Sequence, residues 1–196
     1  MIETPWVVGT RPARPLAEGL GTGLHELPPV VLDSEWSRAP VIEEWQEGER
    51  AAPAVDRAVV AVWPEVREPC SVVDLDLAGW TARLETDFAL WFAALAATGA
   101  RCAPGGRVVA VVDRPEGKDS AGWALESASA DAVEVMVRSL AQVHQDRGVG
   151  LHVVTTSARL SGAPPAALAE VVGAVALLLS AGAGVATAVI RAGSGW

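Results

Sequence analysis

Short apolar runs alternate with longer amphipathic stretches along this chain. The runs are continuous rather than alternating between apolar and polar positions, which is typical of parallel strands covered on both faces. They predict six strands, at Trp6–Thr10, Val30–Asp33, Ala58–Trp63, Arg107–Asp113, Leu151–Thr156 and Val185–Arg191. Periodic apolar positions predict four helices between them, at Leu16–Gly21, Ala78–Thr98, Ser127–Asp146 and Pro165–Ser180. This alternation predicts one domain over residues 1–196, built on a doubly wound, mostly parallel α/β sheet.

Two of the predicted helices, over residues 78–98 and 127–146, carry more apolar surface than one sheet can bury. In the first helix a stripe that recurs at every fourth position is expected to face the sheet: Trp80, Leu84, Phe88 and Phe92. Large apolar side chains lie beside this stripe and on the second helix: Leu90, Trp91, Val135 and Met136. We therefore expect these four residues to contact a partner subunit, with Trp91 facing outward. The alternative is a thick core beneath a long loop.

Composition narrows the possible partners and the compartment. The 196 residues carry a net charge of −9, which disfavours nucleic acid and anionic membrane surfaces. The two cysteines, Cys70 and Cys102, form no CxxC motif and have no histidine cluster beside them, so neither a disulfide framework nor a metal site is predicted. The chain begins without a leader pattern and its apolar runs are too short to span a bilayer. These features predict a cytoplasmic protein.

Several spacings in the second half of the chain form a recognisable set. Trp80 precedes Asp87 by seven residues, and a Gly-Gly-Arg turn at 105–107 opens a strand that ends in Asp113. Glu126 follows thirteen residues later, and Ala130 stands four residues beyond it. These spacings resemble those of the short-chain dehydrogenase/reductase family, which has a Rossmann fold. At the four positions, in chain order, the family has an active-site Asn, a Ser, the catalytic Tyr and the catalytic Lys. The resemblance covers residues 55–196 well and 5–34 loosely.

The resemblance implies that the family's proton relay is lost. In the family the Tyr hydroxyl exchanges a proton with the substrate oxygen, and the Lys lowers the pKa of that hydroxyl. A carboxylate at Glu126 has a different reach and ordinary pKa, and Ala130 supplies no ammonium group. The chain between Ser157 and Pro164 is also too short for the helices that cover the family's substrate. The sequence therefore predicts a shortened member without a substrate lid, a pseudoenzyme that performs no hydride transfer by the family mechanism.

The residues at the family's cofactor positions also differ from the family pattern. The first turn, with Gly9, Arg11 and Arg14, holds one glycine and two prolines in place of a glycine-rich phosphate loop. Arg11 and Arg14 could attract a phosphate, or be ordinary solvated arginines. Asp33 falls where such folds bind a ribose, and Trp63 replaces a glycine of the family's ribose wall. The sequence thus predicts no bound cofactor.

Two classes of function remain open. In the first, the chain is a non-catalytic subunit that stabilises or regulates a catalytically competent relative, or pairs with itself, through helices 78–98 and 127–146. Trp196 would then lie at the family's second interface. In the second, it is a divergent enzyme that uses the carboxylates Asp87, Asp113 and Glu126, which would share a proton or hold a divalent ion. A residual NAD(P)-dependent oxidoreductase is a further alternative.

Overall fold

A six-stranded, entirely parallel sheet forms the centre of the protein, in the order β2-β1-β3-β4-β5-β6. The computed structural model describes residues 4–29, 40–65, 67–115, 121–160, 165–180 and 187–193. The strands β1 to β6 are Trp6–Gly9, Leu24–Glu26, Val55–Ala61, Cys102–Asp113, Gly150–Thr156 and Val189–Arg191. The helices α1 to α6 are Arg14–Gly19, Pro40–Ala51, Leu77–Trp80, Thr86–Arg101, Ala124–Val143 and Pro165–Ser180. The prediction of a doubly wound α/β sheet is confirmed.

Each face of the sheet has its own apolar core. Val60 and the side chains that point the same way pack against residues of α4 and α5. Val59, one residue earlier on β3, points to the opposite face, where α1 and α6 cover it. Successive side chains of a strand alternate between faces, so a central strand with two covered faces has an uninterrupted apolar run. This packing explains the continuous apolar pattern of β3, β4 and β5.

The second strand lies at a different place from the one predicted. The prediction at Val30–Asp33 falls outside the described residues, and so does Asp33 itself. The strand next to β1 is Leu24–Glu26, which pairs with it in parallel register. Its three residues are half-buried or exposed because they form the edge of the sheet, so they give no apolar signal. The chain between β2 and β3 contains the twelve-residue helix α2.

The predicted orientation of α4 is wrong. Trp91 is only 1% exposed and Leu90 is also buried, both in the core under the sheet, whereas Phe92 is 62% exposed. The cause is helical drift: a strict four-residue repeat advances about 40° at every step. From the fully buried Thr98, farther along α4, Phe92 lies about 120° round the helix and Trp91 only about 20°. Trp91 and Leu90 do not form an outward face of this chain.

The residues predicted on the second interface helix have different environments. On α5, Val135 is 62% exposed, while Met136 is half-buried against the core formed with α4. Ala130 is fully buried in the same core, one turn beyond Glu126. Trp196 lies outside the described residues. No helix of the described part of the chain is long and apolar enough to cross a membrane.

Candidate functional site

Three carboxylates come together at the carboxyl edge of β4. Asp113 is the last residue of that strand and pairs in register with Thr156, the last residue of β5. Glu126 lies in the first turn of α5 and Asp87 in the first turn of α4. A carboxylate is favoured at Glu126 because the N-terminus of a helix carries partial positive charge. The sequence-predicted group of Asp87, Asp113 and Glu126 is therefore brought to one edge of the sheet, and Ala130 is excluded from it.

Asp113 is buried and titrates far from its usual range. Its side chain is 6% exposed, and the guanidinium of Arg159 donates to its Oδ2 atom. Burial raises the pKa of Asp113 to about 6. The Arg159 charge and hydrogen bond lower that pKa, and the nearby negative charge of Glu126 raises it. The carboxyl group therefore exchanges its proton close to neutral pH, which suits a general acid or base.

Glu126 is anchored by an arginine from an irregular turn. Residues Thr81–Glu85 form a π-helical turn between α3 and α4. This turn presents the Arg83 guanidinium to Glu126, with Nη2 and Oε1 2.9 Å apart. Wide turns of this kind in helices are frequently found at functional sites. The ion pair fixes one carboxylate oxygen of Glu126.

Asp87 completes the group from the side of α4. Its Oδ2 lies 3.7 Å from Nη1 of Arg67, so the two groups form an ion pair but are too far apart for a hydrogen bond. Burial raises the pKa of Asp87 to about 6; the Arg67 charge lowers it and the Glu126 charge raises it. Glu126 thus interacts electrostatically with both other carboxylates. Two of the three groups hold their protons up to about pH 6.

A small depression, partly open to solvent, lies over these residues and encloses room for about one water molecule. Its wall is formed by Pro64, Glu65, Arg67, Asp113, Trp123, Glu126, Arg159 and Leu160. Among the described residues, Asp113 Oδ1 and Glu126 Oε2 are buried without a hydrogen-bond partner. Buried polar atoms are nearly always paired, so two such atoms on residues of one depression indicate a place for a polar ligand. Within the described ranges no three His, Cys, Asp or Glu side chains are placed to hold a metal ion.

The turn after β1 does not form a phosphate cradle. A Cβ atom on Gly9 would stand 2.1 Å from the Ala61 carbonyl oxygen, so glycine is needed there for contact between strands. Thr10 Oγ1 accepts a hydrogen bond from the Trp63 backbone N–H at 2.8 Å. Arg11 is exposed, and the exposed Arg14 lies 3.4 Å from a Glu26 carboxylate oxygen. The one glycine of this turn serves packing, and Arg14 is engaged on the surface.

The residues that follow the carboxyl ends of β1 and β3 do not fit a nicotinamide dinucleotide. The Trp63 side chain is 2% exposed, and its Nε1 donates to the Val111 carbonyl oxygen at 2.8 Å. Pro12 and Pro15 lack the backbone N–H groups that a pyrophosphate would need. We therefore derive no chemical step through such a cofactor.

The roles of three arginines in the site are not predicted from the sequence. Arg159 follows β5 in a turn, where only a missing lid is predicted, and Arg83 lies four residues before Asp87. That spacing predicts an ion pair between Arg83 and Asp87 along one helix. The π-helical turn directs Arg83 to Glu126 instead, and Asp87 pairs with Arg67. No signal in the linear sequence indicates the contacts of Arg67 or Arg159.

Comparison with known proteins shows the fold. No protein-family model and no curated protein sequence matches the chain. A short-chain dehydrogenase/reductase from Brucella ovis, in complex with a partially ordered NAD, is 13% identical with a TM-score of 0.62; the match covers 96% of this chain and 99% of that one. BdcA of E. coli in complex with NADPH is 18% identical with a TM-score of 0.59, covering 96% and 83%. A metagenomic blue fluorescent protein in complex with NADPH is 21% identical with a TM-score of 0.59, covering 91% and 78%.

These likenesses confirm the predicted fold and correct one prediction about function. The chain has the Rossmann-like fold of short-chain dehydrogenases and reductases, at a length of 196 residues. The expectation of a pseudoenzyme is contradicted, because the similar structures include an oxidoreductase with NAD and proteins with NADPH bound. The loss of the family's Tyr and Lys is therefore no ground for denying this chain a chemistry of its own.

Proposed function

We propose that the protein is an enzyme on a short-chain dehydrogenase scaffold that transfers protons at a hydroxyl or carbonyl group of a small polar substrate. The observation that carries this proposal is the pair Asp113 and Glu126. Both side chains are buried and line one depression, and each keeps one carboxylate oxygen without a partner among the described residues. Two carboxyl groups in unequal environments supply an acid and a base in one site.

The two carboxyl groups have different partners and therefore different roles. Asp113, with its pKa of about 6, is partly protonated near neutral pH and donates its proton to a carbonyl oxygen. Glu126, held by Arg83 through one oxygen, accepts a proton from the neighbouring carbon through the other. The substrate becomes an enol while Asp113 turns into carboxylate and Glu126 into carboxylic acid. Return of the protons in the opposite order regenerates both groups and the carbonyl compound, and a solvent proton taken up by Glu126 in between is delivered to the carbon.

Proton exchange tests this proposal without knowledge of the natural substrate. The protein is incubated in D2O with a panel of small hydroxy-aldehydes and hydroxy-ketones, and deuterium uptake beside the carbonyl group is followed by NMR. We expect uptake with wild type and its loss in Asp113→Asn and Glu126→Gln. Glu134→Gln is the matched control, since Glu134 lies on the same helix and is also ion-paired, with Arg114 and Arg138. Equal uptake in wild type, both site variants and the control would refute the proposal.

An NAD(P)-dependent oxidoreductase is the second candidate. The specific observation in its favour is the likeness to structures that contain NADPH or NAD. Oxidation of NADPH in the presence of the same carbonyl panel, followed by its absorbance, distinguishes the two candidates. NADPH consumption that requires Asp113 would favour the oxidoreductase.

We also propose that the protein pairs with a second copy or a related chain through α4 and α5. Exposed apolar side chains on these two helices support the pairing: Phe92, Val135 and Val143. The two helices pack against each other, so their exposed side chains can contribute to one surface. Such side chains on adjacent helices are typical of a subunit contact. Phe92 thereby replaces Trp91 as the aromatic residue expected to contact the partner.

A further inference from the structure

The side chain of Trp63 occupies the place where open α/β sheets receive their ligands. β1 lies between β2 and β3, and the order of the strands reverses direction between β1 and β3. The crevice outside the carboxyl ends of two such strands is the general ligand position of these folds. Trp63 follows the end of β3 by two residues, and Ala61 of β3 pairs with Gly9 at the end of β1. The indole is thus placed at this crevice by the strand that borders it.

The indole is fixed there from several sides. Its Nε1 donates to the Val111 carbonyl oxygen of β4 at 2.8 Å, so its only polar atom is satisfied inside the protein. The Trp63 backbone is bonded in both directions to Thr10, whose hydroxyl accepts from the N–H and donates to the carbonyl oxygen. The ring packs within the same apolar core as Val7 and Val109. A side chain with these contacts is part of the folded core.

Arg159 covers the indole and connects it to the carboxylate site. The guanidinium carbon lies 4.9 Å from the centre of the Trp63 ring, a cation–π arrangement. The same guanidinium donates to the Pro64 carbonyl oxygen at 2.7 Å and to the Asp113 carboxylate. Removal of Arg159 from this place would leave Asp113 without its counter-charge. Any ligand that needs the crevice must therefore disturb both the core and the site.

We infer that Trp63 is the built-in occupant of this crevice, held by Arg159, and that the protein consequently excludes dinucleotides while its carboxylate depression stays available to a small substrate. The missing N–H groups at Pro12 and Pro15 support the same conclusion independently. Trp63 is then a specificity-determining residue. The inference bears on the cofactor and does not depend on the proton-transfer proposal.

The first experiment measures dinucleotide binding directly. NADPH and NADH are titrated by isothermal calorimetry into the wild-type protein, and no saturation is expected at millimolar concentration. Saturation with a micromolar dissociation constant would overturn the inference and would favour the oxidoreductase. Failure of the D2O exchange with no dinucleotide binding would refute the proton-transfer proposal and leave the inference standing.

The second experiment asks whether the crevice accepts an aromatic ring once Trp63 is removed. Trp63→Gly is expected to lower the melting temperature, and added indole is expected to restore part of the loss. Trp45→Gly is the control, since Trp45 packs against the core on the other face of the sheet. Trp63→Phe, which keeps a ring, is expected to be less destabilised than Trp63→Gly and serves if the glycine variant does not fold. A melting temperature unchanged in both Trp63 variants would overturn the inference.

Discussion

Arg83 and Glu126 form a buried ion pair that joins the π-helical turn to the first turn of α5. The Nη2 and Oε1 atoms are 2.9 Å apart, and the two side chains are 14% and 8% exposed. Removal of one partner leaves the other charge in a poorly solvated place, which is more costly than the pair itself is stabilising. The pair therefore has consequences for stability as well as for the proposed proton transfer.

Replacement of Arg83 should destabilise the fold. We expect Arg83→Met to lower the free energy of unfolding by about 3–5 kcal/mol, because Glu126 then lacks its partner. The double variant Arg83→Met with Glu126→Gln should recover part of the loss. Urea unfolding measures both values. Arg138→Met, at an exposed ion pair with Glu134, is the control, with an expected change within about 1 kcal/mol. An Arg83→Met protein as stable as this control would contradict the prediction.

The raised pKa values of Asp87 and Asp113 predict a dependence of stability on pH. A carboxyl group whose pKa is higher in the folded than in the unfolded protein stabilises the fold when it is protonated. This contribution is present in full below about pH 4 and is lost as the pH rises through about 6. Asp113→Asn should therefore reduce the change in unfolding free energy between these two pH values. Unfolding curves at a series of pH values test this, and an unchanged pH profile would count against it.

His152 predicts the opposite dependence on pH. The side chain is fully buried on β5, and its Nδ1 accepts a hydrogen bond from the Ala188 backbone N–H at 3.2 Å. Burial lowers the pKa of His152, and the positive charge of Arg107 lowers this pKa further. A histidine with a lowered pKa stabilises the fold above about 6.5 and loses this contribution as the pH falls. His152→Asn keeps an acceptor near the Nδ1 position but does not titrate. We expect this variant to lose less stability than wild type below pH 6, measured by thermal unfolding. If the melting temperatures of the two proteins fell equally with decreasing pH, the predicted role of His152 would be contradicted.

Substitutions at Trp91 and Phe92 separate folding from pairing. Trp91→Asp places a charge in the core and should prevent stable folding, which circular dichroism would detect. Phe92→Asp changes an exposed side chain, so the monomer should keep its stability while any oligomer dissociates. Sedimentation velocity of wild type and Phe92→Asp decides the second point. A wild-type protein that is monomeric at all concentrations would refute self-pairing.

The overall fold could be predicted from the sequence, but the orientation of its helices could not. Central strands such as β3 and β5 are buried on both faces, so their apolar runs identify them directly. β2 could not be found because an edge strand needs no apolar run. The apolar residues of α4 can be grouped by a four-residue repeat or by a seven-residue repeat, and the two groupings predict different buried faces. The face that is buried depends on how the helix packs against the sheet.

The site was predicted through its carboxylates, and its arginines were missed. Asp87, Asp113 and Glu126 could be placed because a resemblance in spacing assigned each to one edge of the sheet. Arg67 and Arg159 approach from other segments of the chain, and such contacts depend on how those segments pack. The carboxylates alone predict an open acidic cleft, whereas the paired charges create a nearly neutral, buried site.

One extra residue in the π-helical turn sets the orientation of α3 relative to α4. Such a turn is an α-helix with a single residue inserted, so removal of one residue within Thr81–Glu85 would make a continuous helix from α3 to α4. Relative to α4, α3 would then rotate by about 100° and shift by about 1.5 Å. Trp80 and Leu77 would change their orientation, and removal of a residue after Arg83 would direct Arg83 away from Glu126. A change of length by one residue at this point would thus rearrange the site without altering a single side chain that lines it.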